Sequence, residues 1–378
     1  MKIREKIPFR GFHLLRILES YQKRSIPLDS FLRFYFKENR SIGSKDRKEI
    51  CELLYFIIRW QGLIDYFCKK PIVWEERIEK AKTINPFDFQ EDESIPFHIR
   101  MSFPKWYINL LLQHYPQEKI KEICLTSNTK APTTIRVNTL KISRDELFSR
   151  WKNLYKIEKC LLSPTGIMFR KKINFFATKE FKEGLFEIQD EGSQLVSGLV
   201  DANAKDQILD YCAGSGGKTL AIGATKQNKG QIYLHDIRIK ALLEAKKRLK
   251  RSGIENAQIT TPENLFRLEK KMDWLILDVP CSGSGTFRRN PDMKWKFRSE
   301  MLKNLVQEQR SIFEKSLSYL KPKGKILYIT CSVLPEENFL QVEYFQQHFP
   351  VKLLNQPSFW FPQKNGRDGF FASLFQLK

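Results

Sequence analysis

From residue 205 onward, short apolar runs alternate with amphipathic stretches, and no other feature narrows the possible folds so far. Ile208–Tyr211, Gln231–Ile237, Ala257–Thr260, Trp274–Val279 and Lys325–Thr330 read as strands, with helices predicted near 218–227, 239–252, 300–320 and 336–347. Such alternation builds a parallel sheet covered by helices on both faces, a doubly wound α/β architecture. Ligands of these sheets bind beyond the carboxyl ends of the strands. The residues that follow each strand therefore carry the most information about function.

The first strand ends at Asp210-Tyr211 and leads into Cys212-Ala213-Gly214-Ser215-Gly216-Gly217-Lys218-Thr219. A phosphate-binding P-loop needs a glycine five places before its Gly-Lys-Thr, where this chain has Cys212, and the dinucleotide fingerprint fails at Thr219. What remains is a glycine turn that brings backbone close to a ligand at a helix N-terminus. Alone it is equally compatible with an ordinary tight turn. Asp236, at the end of the next strand, adds a carboxylate able to accept hydrogen bonds from both hydroxyls of a ribose. Together the two predict a nucleoside-containing cofactor.

The fourth strand runs into Asp278-Val279-Pro280-Cys281 and the fifth into Thr330-Cys331-Ser332. A lone cysteine is usually core filler, which suits Cys51, Cys68, Cys124 and Cys160. Cys281 and Cys331 stand instead at the carboxyl ends of two strands that such sheets place side by side, where substrate lies. If the cofactor is S-adenosylmethionine, most oxygen or nitrogen acceptors need only a base. Carbon 5 of a pyrimidine differs, because it is a poor nucleophile until a thiolate adds to carbon 6. Asp278 could donate a proton to N3 as the thiolate adds, provided burial raises its pKa. Lys218 is a candidate source of the positive charge that favours a thiolate, and Cys281 is placed to help remove the carbon-5 proton.

Ahead of this region, apolar residues recur at helical spacing from about residue 8 to 70, as in Leu28, Phe31, Leu32 and Tyr35, predicting a small helical bundle. Residues 71–105, with prolines at 86, 96 and 104, read as an irregular connector. Residues 130–190 read as a small α+β unit, with strands at Thr133–Leu140 and Gly166–Arg170 around a helix at Arg144–Trp151. The domain boundaries expected are 1–125, 126–195 and 196–378. The chain carries 65 Lys and Arg against 43 Asp and Glu, a net charge of +22, which favours a polyanionic partner. Within residues 1–70, 16 basic side chains face 8 acidic ones, so the excess is concentrated at the front. No apolar window approaches a membrane span and Met1–Arg10 lacks the apolar stretch of a signal peptide, so a cytoplasmic chain with reduced thiols is expected. No cysteine spacing suggests a metal site, and a monomer is expected.

At these residues the chain resembles the RNA cytosine-C5 methyltransferases, most closely the bacterial 16S ribosomal RNA enzymes with an N-terminal NusB-like helical domain. The matching stretches are Ile135–Leu140, Ile188–Gln194, Cys212–Thr219, Asp278–Thr286, Arg288–Trp295, Thr330–Asn338 and Asp368–Phe371. The resemblance implies a Rossmann-like class I methyltransferase domain, S-adenosylmethionine as cofactor and RNA as partner, with 16S ribosomal RNA the expected substrate. It further implies that Cys331 is the nucleophile, that Cys281 assists release of the methylated RNA, and that Lys218 and Asp278 serve the reaction. Cys212, Ala213, Gly214, Ser215, Gly216, Gly217, Lys218, Asp236 and Asp278 are implied to contact the cofactor or the reacting base. DNA cytosine methyltransferases use the Pro-Cys thiol together with a Glu-Asn-Val motif, which this chain lacks. Two departures from the family pattern stand out. Thr261-Pro262-Glu263-Asn264 replaces the usual acid near the adenine, with Glu263 the expected substitute, and Gly214-Ser215 stands where Ala-Pro is common. The rival reading is a non-catalytic RNA-binding ribosome-assembly factor that kept the fold, which leaves both cysteines and Asp278 unexplained.

Overall fold

The computed structural model describes residues 8–22, 24 and 26–378. Residues 1–7, part of the stretch searched for a signal peptide, lie outside the described residues. The chain divides into two compact units, residues 1–130 with 287–299, and residues 131–286 with 300–378.

Among its described residues the regular structure of the first unit is helical: α1 (Phe9–Tyr21), α2 (Leu28–Glu38), α3 (Ser44–Tyr66), α4 (Trp74–Thr83), α5 (Phe97–Arg100), α6 (Lys105–Leu112) and α7 (Gln117–Ser127). Their apolar faces close over Leu14, Ile17, Leu54, Ile57, Leu63 and Ile64, all at most 2% exposed. Residues 71–105 are more regular than their prolines suggested. Pro96 and Pro104 stand immediately before α5 and α6, where proline's fixed φ launches a helix and its missing N–H costs nothing. The first unit also takes in Phe287–Ser299, with its short helix α13 (Met293–Lys296), which the sequence placed in the methyltransferase domain. Lys294, fully buried, donates to the Arg59 carbonyl at 2.7 Å and to Asn128 Oδ1 at 2.6 Å. Trp295 Nε1 donates to the Ile58 carbonyl at 2.7 Å, and Tyr21 OH donates to Asp292 Oδ2 at 2.6 Å. Desolvation pushes the Lys294 ammonium well below the usual lysine value.

The second unit holds two sheets. The smaller is antiparallel, ordered β2 (Ile157–Lys159), β3 (Gly166–Phe169), β1 (Thr133–Val137), β4 (Phe186–Ile188). Helices α8 (Arg144–Trp151) and α9 (Lys179–Lys182) accompany it, around a core of Ile135, Val137, Leu147, Trp151 and Phe186. Helix α10 (Glu191–Ser197), capped by the Asp190 side chain, follows β4. The larger sheet is built from β5 (Gln207–Asp210), β6 (Gln231–Leu234), β7 (Ala257–Ile259), β8 (Met272–Asp278) and β9 (Leu320–Thr330), all parallel. Helices α11 (Gly217–Thr225), α12 (Ile239–Ser252), α14 (Ser299–Ser316) and α15 (Phe339–His348) alternate with these strands. After α15 come β10 (Val351–Leu353), β11 (Ser358–Trp360) and β12 (Phe370–Leu377), and β12 pairs antiparallel with β9. The order is β10-β12-β9-β8-β5-β6-β7, with β11 beside β12.

The alternation predicted the five parallel strands and missed this antiparallel flank. Phe370–Leu377 is a buried run with almost no polar residue, so the period-2 signal of a strand is lost in it. Chain order reverses between β5 and its neighbour β8, which places the topological switch point beside the glycine turn. Among the described residues, no helix is long and apolar enough to cross a membrane.

Candidate active site

Two adjacent parallel strands deliver the two cysteines to one place. Asp278 lies opposite Ile329 in the β8–β9 register, and Val279 N donates to the Ile329 carbonyl at 3.2 Å. Cys281 and Cys331 thereby bring their sulfurs to 3.3 Å of each other, as free, partly exposed thiols. The hydrogen bond to Cys331, then burial, then the charges of Cys331 and Glu337 push the Cys281 thiol well above its usual value.

A short ion pair joins Lys218, at the second position of α11, to Asp278 Oδ2 at the end of β8. Burial alone would lower the Lys218 pKa. The carboxylates of Asp278 and Asp210 and the neighbouring Cys331 outweigh burial and hold the ammonium above the usual lysine value. Cys331 thus lies within electrostatic reach of the Lys218 ammonium.

The glycine turn is shaped by its own backbone. Gly214 and Gly216 have φ of 54° and 77°, conformations open to glycine at little cost. Ala213 N donates to the His235 carbonyl at 2.8 Å, and Gly214 N donates to Asp236 Oδ2 at 2.8 Å, so the ends of β5 and β6 are tied together. Asp236 also accepts Arg238 N and Nε on Oδ1 and Arg238 Nη2 on Oδ2, at 2.8 to 2.9 Å. Burial would raise this carboxyl; the bonds from Arg238 and Gly214 hold it below the usual range. Cys212 is inert, its thiol pushed far up by burial and by the carboxylates of Asp210, Asp278 and Asp236. Glu263 is not gathered into this cluster. It is solvent-exposed, and its carboxylate is held below its usual value by the Thr261 hydroxyl and its own amide within a single turn.

Several working residues escaped the sequence reading. Glu337, fully buried, accepts Ser282 N at 2.8 Å, Ser282 Oγ at 2.5 Å and Gln309 Nε2 at 3.0 Å. Ser282 and Ser284 Oγ lie 3.2 and 3.0 Å from Ser332 Oγ, so the residues following the two cysteines are locked together. Gly285 N donates to the Cys331 carbonyl at 2.9 Å, and Gly369 N donates to the Gly285 carbonyl at 2.9 Å. Asp190 Oδ1 accepts both Gly192 N and Asp368 N, uniting two motifs that sequence alone left without a role. Asp210, 1% exposed, has Oδ2 bonded by Thr219 Oγ1 at 2.6 Å and Oδ1 without a partner. Gln309 apart, these lie in stretches the sequence had singled out; partners distant in sequence give them their roles.

Residues 198–376 match the family described as 16S rRNA methyltransferase RsmB/F, and residues 103–175 match the ferredoxin-like domain of RsmF/B-like methyltransferases. Ribosomal RNA small subunit methyltransferase B of Proteus mirabilis is 31% identical over 300 residues, covering 77% of this chain and 68% of that protein. The chain belongs to the RsmB/F family. The Photorhabdus laumondii protein of the same name is 32% identical over 279 residues, covering 71% of this chain and 65% of that protein. The chain thus spans about two thirds of the length of these curated relatives. Among solved structures, PH0851 superposes with a TM-score of 0.78 at 22% identity, covering 99% of this chain and 100% of that chain. A methyltransferase homologue from Pyrococcus horikoshii gives 0.66 at 26% identity, covering 74% and 97%. As an RsmB/F family member the protein is an RNA methyltransferase, and S-adenosylmethionine is its methyl donor.

The residues present fit that donor. A Cβ placed on Gly217 would meet nothing within 4 Å, so the turn faces open space, and at the end of β5, just ahead of the turn, one buried carboxylate oxygen of Asp210 has no hydrogen-bond partner. A ligand carrying an ammonium, a sulfonium and a ribose diol suits this acidic, glycine-lined setting.

Proposed function

We propose that the protein methylates carbon 5 of a cytosine in small-subunit ribosomal RNA, with Cys331 as the covalent nucleophile and Cys281 as the group that assists release. The observation that carries this reading is the pair of thiols 3.3 Å apart, beside the Lys218–Asp278 ion pair. A nitrogen or ribose acceptor needs neither sulfur.

Cys331, with the Lys218 ammonium in electrostatic reach, adds as thiolate to carbon 6 of the flipped-out base. Asp278, held by Lys218, meets the N3 edge and hands the ring the proton it takes up there, the one Cys331 gives up in becoming a thiolate, while Lys218 keeps its charge. S-adenosylmethionine, held by Cys212–Lys218 and Asp236, supplies an electrophilic methyl group. Carbon 5 then carries both a methyl group and a hydrogen. Loss of that hydrogen as a proton to solvent re-forms the ring double bond, the carbon–sulfur electrons return to Cys331, and the N3 proton passes back through Asp278, so the base and the enzyme groups end as they began. Cys281, whose thiol holds its proton tightly, donates a hydrogen bond to the departing sulfur instead of taking the carbon-5 proton, the task its position in the sequence suggested. All four acceptor positions of Asp236 are filled, three of them by Arg238, so a ribose must displace this exposed guanidinium. Asp236 is itself buried, so the ribose hydroxyls must replace the bonds the guanidinium gives up as it swings out to solvent.

The test is direct. Small-subunit ribosomal RNA, free or in its particle, is incubated with the enzyme and methyl-labelled donor and digested to nucleosides. Label in 5-methylcytidine supports the proposal. Label in any other nucleoside contradicts it, and no label at all favours the assembly-factor reading.

A further inference from the structure

Arg248 of α12 spans two sites that the sequence assigned to different domains. Its Nη1 donates to both the carbonyl and the hydroxyl oxygen of Ser215, each at 2.8 Å, while Nη2 and Nε donate to Glu187 Oε2 at 3.0 and 3.2 Å. Ser215 lies in the glycine turn; Glu187 is the middle residue of β4, its side chain 4% exposed. The other carboxylate oxygen of Glu187 accepts from Arg251 and from Ser252 Oγ. A second tie reaches the far side of the turn. Gln189 Nε2 donates to the Gly217 carbonyl at 3.3 Å, and Gln189 Oε1 accepts Arg136 Nε from β1 at 2.7 Å.

The surfaces that carry these ties are in close contact. A Cβ on Gly184 would lie 2.1 Å from the Arg251 carbonyl oxygen, and Asn138 Nδ2 donates to the Gly184 and Ser252 carbonyls at 2.8 Å each. The small sheet is therefore keyed to the C-terminal end of α12 with no room to slide. Glycine-rich backbone pays heavily in conformational entropy when it is ordered. Holding it in place before the ligand arrives lowers the cost of binding, and a guanidinium shared with a buried carboxylate is a strong, directional anchor.

We propose that the four-stranded sheet is part of the cofactor site, with Glu187 and Arg248 as positioning residues that hold the glycine turn ready for S-adenosylmethionine before any RNA is bound. This rests on the assignment of Cys212–Lys218 and Asp236 to the cofactor. The occupied turn and the sheet thus stabilise each other.

The experiment is calorimetric titration of S-adenosylhomocysteine into the full chain without RNA, alongside melting with and without the ligand. Replacing Arg248 by Ala should weaken binding about tenfold, as expected for loss of charge-assisted bonds that order a loop. Glu187→Gln should weaken it several-fold, Arg248→Lys should fall between Arg248→Ala and wild type, and Lys171→Ala, exposed on the same subdomain, should match wild type. A merely structural role would lower the ligand-free melting temperature and leave the ligand-induced shift unchanged. If Arg248→Ala does not fold, Arg248→Lys and Ser215→Ala carry the test. Wild-type affinity in folded Arg248 variants, with Asp236→Ala impaired, overturns this inference alone. Wild-type affinity in Asp236→Ala overturns the cofactor assignment beneath it.

Discussion

Asp210 shows how a single side chain can tie the site to folding. Burial pushes its carboxyl up to about 7 despite the bond from Thr219. A carboxyl with a folded value above its unfolded value of about 3.9 holds its proton more tightly in the native state, so stability falls as pH rises between the two and levels off above. Replacing Asp210 by Asn should remove that slope. Urea unfolding of the ligand-free protein at pH 5 and pH 8 should show the wild type losing about 2 kcal/mol more than the variant across the interval; equal losses would refute the assignment. Glu337 makes a second case. Loss of a buried, multiply bonded carboxylate costs about 3 kcal/mol or more, so Glu337→Ala should melt early, while Glu337→Gln should fold and lose turnover more than cofactor affinity. A Glu337→Gln enzyme with wild-type kcat would contradict a role in holding the two cysteine loops. The strand-end positions of Cys281, Cys331, Asp278 and Asp236 were legible in the sequence, because period and topology place strand ends at the ligand. Glu337 and Asp210 were not, because their roles come from partners such as Ser282 and Thr219 that only folding brings near.

At the level of elements, the cysteine loops depend on the C-terminal flank that the sequence hid. Gly285 has no space for a side chain, since a Cβ there would sit 2.5 Å from the Gly369 carbonyl oxygen, a backbone atom that cannot swing away. Gly285→Ala should therefore cost about 1–3 kcal/mol and lower kcat, because the same glycine donates to the Cys331 carbonyl. S-adenosylhomocysteine affinity should stay near wild type, because the glycine turn follows a different strand. Calorimetry and thermal melting check both halves, and a variant of unchanged stability would show that the flank does not brace the site. Helix α4 was missed for a different reason. Its residues Trp74–Thr83 read Trp-Glu-Glu-Arg-Ile-Glu-Lys-Ala-Lys-Thr, and only Ile78 and Ala81 are buried, too few to announce a helical period.

For the molecule as a whole, a net charge of +22 makes binding to RNA a matter of counterion release. Raising the salt from about 50 to 200 mM should weaken ribosomal RNA binding by about a hundredfold or more, as several neutralised phosphates require, and a change under threefold in a filter-binding titration would show that the basic surface is not the RNA contact. Composition signalled the polyanion; it could not show which surface meets it. The boundary at residue 286 was equally invisible, because Arg288–Trp295 is polar and basic like an exposed loop, yet Lys294 and Asp292 find their partners in the helical unit. The central claim remains a chemical one, that the Cys331 sulfur bonds to a cytosine ring and Cys281 helps it let go. Cys281→Ala enzyme, mixed with ribosomal RNA and S-adenosylmethionine and run on a denaturing gel, should give a shifted protein–RNA band that disappears when Cys331→Ala is added to the same chain. A band that persists without Cys331 would contradict the account.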